Sequence, residues 1–92
     1  MPRCKKHRCC RLLDGKKIFK PRSTPLANLQ VTEVFLDEFE AVRLCDHDLL
    51  SQIEAAARMN VSRGTVQRLL EAGRFKIVEA LLHDKAIHIH DR

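Results

Sequence analysis

The stretch Ser51–Leu70, SQIEAAARMNVSRGTVQRLL, predicts two short helices joined by a tight turn. Ala55 and Ala56 in the first helix are small enough to let a second helix cross closely. Asn60 lies where the chain must turn, and after glycine it is Asn that most readily adopts a left-handed backbone. Ser62 is placed to cap the next helix by accepting a backbone N–H. Apolar residues at helical spacing follow the cap, at Val66, Leu69 and Leu70.

The opposite face of the second helix carries side chains that can reach phosphate oxygens and base edges. These residues are Arg63, Thr65, Gln67 and Arg68. An ordinary helical hairpin is the alternative interpretation. We disfavour it because the small, turn, cap and apolar positions all fall in register. The stretch therefore predicts a helix-turn-helix.

The distribution of charge divides the chain into two parts. The 92 residues carry a net charge of +5. Residues 1–25 hold nine Lys/Arg and one acid, whereas residues 26–92 hold eight Lys/Arg and eleven acids. We interpret residues 1–25 as a basic N-terminal arm and loop, and residues 26–92 as a helix-turn-helix domain with a C-terminal strand. A basic arm is typical of nucleic-acid binding, and a solubilising tail is the alternative.

The arm also holds a cluster of residues that could bind metal. Thiolates and imidazole are ligands that Zn²⁺ prefers. The cluster comprises Cys4, His7, Cys9 and Cys10. Its spacing, C-x2-H-x-C-C, is not a standard zinc-finger spacing, so free thiols are the favoured state and zinc is the alternative. We otherwise expect no cofactor.

Several classes of protein are disfavoured by what the sequence lacks. No stretch approaches the roughly 20 apolar residues of a membrane span. The N-terminus has no apolar run of a signal peptide, so we expect a cytoplasmic protein with no membrane partner. No nucleophile–base pair or Gly-rich phosphate loop is visible, so we do not expect an enzyme. A core of this size is thin, and burial shared between two subunits would support it.

Further helical segments flank the central stretch. Leu36–Asp46, LDEFEAVRLCD, predicts the first helix, and acids in its first turn suit the helix dipole. The second helix of the motif continues far beyond Leu70, where Gly73 indicates either close packing or a bend. Arg74 and Lys76 are expected to keep its outer face basic.

Strand patterning is found near both ends of the chain. Apolar and polar residues alternate over Lys85–His90, KAIHIH, which predicts a strand. Lys16–Lys20, KKIFK, is a plausible partner in this chain or in a second copy. Val31–Leu36 is expected to be extended or to lead into the first helix. His88 and His90 share one strand face and could hold a metal, but two His alone rarely make a site, so a polar face is favoured.

Two resemblances follow from these segments. The block from Leu36 to Leu81 resembles region 4 of sigma-70-type transcription factors, a helical module that reads a promoter element. The whole chain more closely resembles a family of small, uncharacterised bacterial and archaeal proteins predicted to bind DNA. That family has a basic N-terminal arm. The other segments that this chain shares with it are Phe19-Lys20-Pro21, Pro25-Leu26, Leu36-Asp37-Glu38, Glu40-Ala41, Arg43-Leu44, Ala56-Ala57, Met59 to Arg63, Thr65, Gln67 and Arg68. The likeness to the sigma module implies base-reading positions at Arg63, Gly64, Gln67 and Arg68, although Gly64 has no side chain for such a contact.

We therefore expect a mainly α fold, a sigma-70 region 4-like helix-turn-helix bundle with an extended basic arm and a short C-terminal β-strand. The expected function is transcription regulation by a homodimer that binds double-stranded DNA. The candidate DNA contacts are Ser62, Arg63, Gly64, Thr65, Gln67, Arg68, Arg74, Arg3, Lys5, Lys6 and Arg8. One alternative is an interaction module that docks on the transcription machinery through the acidic helix Asp37–Asp48. Another is a metal- or redox-responsive regulator that uses the arm cysteines.

Overall fold

Residues 16–92 are described by a computed structural model, which is mainly helical with a small three-stranded sheet. The helices are α1 (Leu36–Val42), α2 (Gln52–Met59) and α3 (Arg63–Leu82), and the strands are β1 (Lys16–Phe19), β2 (Val31–Phe35) and β3 (Ala86–His90). A 3-10 turn at Leu26–Asn28 precedes β2, and a π-helical turn at Arg43–His47 continues α1. The arm predictions for Arg3, Lys5, Lys6 and Arg8 and for Cys4, His7, Cys9 and Cys10 lie outside the described residues.

The sheet has β3 at its centre, antiparallel to β1 and parallel to β2. The alternation predicted for the C-terminal strand is confirmed, because Ile87 and Ile89 are buried while His88 and His90 are half-buried. Its pairing with β1 in the same chain is confirmed too. The stretch Val31–Leu36, expected to be extended or to lead into the first helix, forms β2 on the other side of β3. The tail strand is therefore fully paired and gives no support to a dimer.

The buried apolar residues form two clusters joined by α3. The first lies where α3 packs against α1, its π-helical continuation and α2, and it contains Ala41, Leu44, Ala55, Ala56, Met59, Val66, Leu69 and Leu70. The second lies between α3 and the sheet, and it contains Val34, Leu36, Ala80, Ile87 and Ile89. The apolar stripe predicted for α3 is confirmed as core. Because one helix contributes to both clusters, its exposed N-terminal face is held in a fixed relation to the sheet.

Side-chain caps fix the starts of α2 and α3, and Asn60 makes the turn between the two helices. The Ser51 hydroxyl accepts the backbone N–H of Glu54 at 3.1 Å, and the Glu54 carboxylate accepts the N–H of Ser51 at 2.8 Å, a reciprocal capping box. Asn60 has φ 60° and ψ 46°, the predicted left-handed conformation. The Ser62 hydroxyl accepts the N–H of Thr65 at 3.1 Å, as predicted for the cap of the second helix.

The acids of α1 lie inside the protein, contrary to the acidic outer surface expected of this helix. Each of the three buried carboxylates is paired with a basic side chain at an N–O distance of 2.8 Å. The pairs are Asp37 with Arg92, Glu38 with Lys76 and Glu40 with Arg43. Lys76 therefore does not belong to an outer basic face, and that expectation was wrong. The surface that favoured docking on the transcription machinery is correspondingly reduced.

Gly73 lies where α3 crosses α1, and the structure shows that it serves close packing. A Cβ at residue 73 would come within 2.8 Å of Val42 Cγ2 and 3.0 Å of the backbone oxygen of Glu38. At Gly64, in the first turn of the same helix, a Cβ would meet only Arg68 Nη1 at 3.8 Å and Ser62 Oγ at 4.0 Å. A side chain at residue 73 would therefore clash with α1, whereas one at residue 64 would not.

We expect Gly73→Ala to lower the free energy of unfolding by about 1 kcal/mol. Overpacking costs roughly 1–3 kcal/mol, which exceeds the gain of about 1 kcal/mol in helix propensity from Gly to Ala. Gly64→Ala is the matched control and should instead stabilise the protein by about 0.5 kcal/mol, since it meets no clash. Urea unfolding of both variants measures the difference. A Gly73→Ala protein as stable as Gly64→Ala would show that α1 and α3 separate without cost.

Candidate nucleic-acid interface

The first two turns of α3 present Arg63 and Gln67 to solvent. These residues are four apart and therefore lie on the same side of the helix. Arg63 Nη1 donates to Gln52 Oε1 of α2 at 3.4 Å, and Gln67 Nε2 donates to Glu71 Oε2 at 3.5 Å. Both hydrogen bonds are long and exposed, so each side chain can exchange its partner for a ligand at little cost.

Thr65 and Arg68 form a second group beside the first. The hydroxyls of Ser62 and Thr65 share a hydrogen bond of 2.9 Å, and Arg68 Nη2 donates to Thr65 Oγ1 at 3.3 Å. Both Thr65 and Arg68 line an open groove whose other walls include Arg92 and Glu38. Two guanidinium groups thus flank one groove alongside α3.

Arg74 differs from the other predicted contacts because its charge is already matched. Its guanidinium donates to both carboxylate oxygens of Asp46, at 2.7 and 2.9 Å. This hydrogen bonding raises the pKa of Arg74 and lowers the pKa of Asp46. Among the described residues, Arg63 and Arg68 are the basic side chains of residues 62–78 that form no ion pair with a carboxylate. A count along the sequence therefore overstates the positive charge of α3.

Gly64 and Ser62 leave the helix N-terminus open to approach. Gly64 is exposed and offers only backbone, so nothing projects between Arg63 and Arg68 at that position. The first N–H groups of an α-helix have no partner within the helix and carry a partial positive charge. The structure brings together Ser62, Arg63, Gly64, Thr65, Gln67 and Arg68 in this way, and it leaves Arg74 apart.

Arg92 and Glu33 are residues that the sequence analysis missed. Arg92 reaches the groove beside Arg68, and its pKa is raised by the hydrogen bond to Asp37. Glu33 of β2 approaches His88 and His90 of β3, so that three potential metal ligands lie within 4.8 Å of one another. No local sequence signal marks either residue, because both placements depend on contacts far apart in the chain.

Cys45 is the cysteine within residues 16–92, and it packs as a small hydrophobic residue. It is half-buried and lies against the first apolar cluster. Burial, followed by the nearby charge of Asp46, raises the pKa of its thiol. The thiolate, which is the reactive form, is therefore disfavoured. Within residues 16–92, no helix is long and apolar enough to cross a bilayer.

Comparison with known proteins places the chain among uncharacterised relatives. A family model described as "Protein of unknown function DUF134" matches residues 1–91. A UPF0251 protein of Vibrio cholerae is 48% identical over 71 residues, covering 77% of this chain and 72% of that protein. A UPF0251 protein of Moorella thermoacetica is 42% identical over 89 residues, covering 97% of this chain and 60% of that protein.

Similar proteins occur in other bacteria and in an archaeon. A UPF0251 protein of Dehalococcoides mccartyi is 42% identical over 91 residues, covering 97% of this chain and 76% of that protein. One from Methanosarcina acetivorans is 44% identical over 71 residues. No solved structure matches the chain significantly. The full-length family match and these identities confirm the resemblance to uncharacterised bacterial and archaeal proteins: the chain belongs to the DUF134 (UPF0251) family.

Proposed function

We propose that this protein binds double-stranded DNA as a transcription regulator, using α2 and α3 as a helix-turn-helix similar to sigma-70 region 4. The observation that carries the proposal is the group formed by Arg63, Gln67 and Arg68, which is exposed, free of ion pairs, and set on a rigidly capped helix start. Side chains of these types at the start of a second helix are what major-groove recognition requires. The role is one of binding, with no reaction assigned.

The geometry of α3 suits entry of its first turns into the major groove. An α-helix with side chains is about 10–12 Å across, and the major groove of B-DNA is about 12 Å wide. The C-terminal half of α3 packs on the sheet through Ile77 and Ala80. The N-terminal turns of α3 are therefore the part that is available to enter the groove. Their apolar side packs against α2 in the first cluster.

Each side chain has a role that its chemistry supports. Arg63 donates in the bidentate geometry that suits guanine O6 and N7, and the Gln67 amide suits adenine N6 and N7. Arg68 and Thr65 contact phosphate, and Ser62 with the first N–H groups of α3 adds an anion-binding helix end. Arg92 shares the groove with Arg68, but its charge is matched by Asp37, so we assign it no phosphate contact.

Arg63→Ala is expected to weaken binding to the preferred duplex by about 1–3 kcal/mol and to relax base preference at one position. The preferred duplex is first obtained by selection from a random DNA pool. Arg22→Ala is the charge-matched control. Residue 22 follows Pro21, which lines a cavity together with Leu81 at the far end of α3. Leu81 lies roughly 27 Å along the helix from Arg63 at 1.5 Å per residue.

The comparison of these two variants decides whether Arg63 reads bases. Arg22→Ala removes the same charge far from the start of α3 and should leave base preference unchanged. Unchanged affinity and preference in Arg63→Ala would remove Arg63 from base readout. Absence of salt-dependent binding of the unaltered protein to any duplex would overturn the proposed function itself.

We propose also that the protein acts as a homodimer, as expected for a two-fold operator. With the tail strand paired internally, the support comes from α3 alone. Phe75, Val78 and Leu82 form a stripe at helical spacing on its C-terminal half, and they are 70%, 56% and 70% exposed. An apolar stripe of this kind is a frequent subunit contact.

Sedimentation equilibrium at roughly tens of micromolar protein should therefore show a dimer. Phe75→Asp should shift the equilibrium to monomer, because it places a charge on the apolar stripe. Ile53→Asp, at an equally exposed apolar position on α2, is the control and should leave the dimer intact. A monomer in the unaltered protein would rule out this contact.

A further inference from the structure

The outer face of the sheet gathers one carboxylate and two imidazoles. The parallel register pairs Glu33 of β2 directly with His88 of β3. His88 and His90 are two residues apart, so they point to the same face of the strand. Their rings stack with centroids 4.6 Å apart at an interplanar angle of 23°. One ligand atom from each of the three residues lies within 4.8 Å of the other two.

The hydrogen bonds of His90 leave a place for a cation. His90 Nδ1 lies 2.8 Å from the backbone oxygen of Asp91, which can only accept, so Nδ1 carries a hydrogen. The other nitrogen, Nε2, lies 2.9 Å from Glu33 Oε1. With the hydrogen on Nδ1, Nε2 of the neutral ring presents its lone pair towards the Glu33 carboxylate, so both atoms can bind one metal ion. In a metal-ligating His, the ring nitrogen that does not bind the metal usually donates its hydrogen to a carboxylate, a backbone carbonyl or water.

We propose that Glu33, His88 and His90 bind one divalent transition-metal ion, with Zn²⁺ as the best match. Zn²⁺ takes imidazole nitrogen at about 2.0–2.1 Å and carboxylate oxygen at about 2.0–2.2 Å, which places tetrahedral ligands about 3.4 Å apart. The three ligand atoms lie within 4.8 Å of one another, and His90 Nε2 is 2.9 Å from Glu33 Oε1, so the present separations are close to that value. Two His and one Glu leave a fourth position for water or another ligand.

The neighbouring charges permit a bound cation. Lys76 Nζ and the Arg92 guanidinium lie 4.7 and 4.3 Å from the centre of the Phe35 ring, which itself contacts His90 edge to face. Both cations are matched, since Lys76 is paired with Glu38 and Arg92 with Asp37. The carboxylate of Glu33 thus remains available to the site, and its side chain is 57% exposed, which gives an ion a path of entry.

The test is titration of the full chain with Zn²⁺ against a chromophoric chelator. The arm ligands are removed by Cys4→Ser, Cys9→Ser, Cys10→Ser and His7→Asn, so that only the sheet site is measured. We expect one Zn²⁺ per chain. Loss of a ligand in His88→Gln, His90→Gln or Glu33→Gln should lower affinity by at least about 10-fold. His83→Gln, at an exposed histidine beyond α3, is the matched control and should change nothing.

A second measurement follows the imidazole rings by NMR. Zn²⁺ should shift the ring signals of His88 and His90 and leave those of His47 and His83 in place. Circular dichroism confirms that each variant is folded, and the exposed Glu33→Gln is the variant least prone to unfold. Two outcomes would overturn the proposal: equal Zn²⁺ affinity of Glu33→Gln and its parent, or equal shifts of all four rings.

Discussion

Replacing Arg43 with Met is expected to lower the free energy of unfolding by about 3–5 kcal/mol, because it leaves a buried carboxylate without its partner. The Glu40 side chain is only 3% exposed. Its two oxygens accept from Arg43 Nε at 2.8 Å and Nη2 at 3.0 Å. Since a domain of this size is stable by roughly 5–15 kcal/mol, the loss is a large fraction of the total. Urea unfolding at neutral pH measures it.

Two further variants separate charge from packing. The double variant Glu40→Gln/Arg43→Met should recover most of the lost stability, because residue 40 then carries no unpaired buried charge. Asp48→Asn removes a different contact of Arg43, an exposed ion pair at 3.0 Å, and should cost less than about 1 kcal/mol. A double variant no more stable than Arg43→Met would mean that Arg43 acts through its aliphatic packing.

Deletion of residues 1–11 is expected to weaken the salt dependence of DNA binding. This segment contains five basic residues and no acid, namely Arg3, Lys5, Lys6, Arg8 and Arg11. Each phosphate contact contributes about 0.9 to the slope of log K against log salt, so at most roughly 4–5 units are lost. We expect a change of about 2–3 units, since a terminal arm engages only in part. Binding to the preferred and to random duplexes over a salt series measures it.

A charge-neutral arm is the matched control for the deletion. Substituting Gln for the same five basic residues keeps Cys4, His7, Cys9 and Cys10 in place and should give the same change in slope. Base preference should survive in both proteins, because phosphate contacts position the protein without specifying sequence. An unchanged slope would make the arm a solubilising tail. A lost preference with an unchanged slope would mean that the arm reads a groove.

The sequence by itself determined the features that depend on residues close together in the chain. Asn60 and Ser62 marked the turn before α3, because a left-handed backbone and a cap each depend on local residue type. The apolar stripe of α3 and the alternation of Ala86–His90 followed from the periods of helix and strand. Pairing of β1 with β3 was anticipated within these patterns. The residues at the start of α3 could therefore be named as a candidate site.

Only the tertiary structure decided which of the charged residues are free. Arg74 is matched by Asp46, 28 residues earlier, and Lys76 by Glu38, 38 residues earlier. The parallel pairing of β2 with β3 brings Glu33 to His90, 57 residues away. Helix and strand periods assign a side chain to a face but do not say what that face will meet. The choice of partner across such distances depends on the packing of the whole chain. It determines which charges of α3 are matched by carboxylates and which side chains meet on the outer face of the sheet.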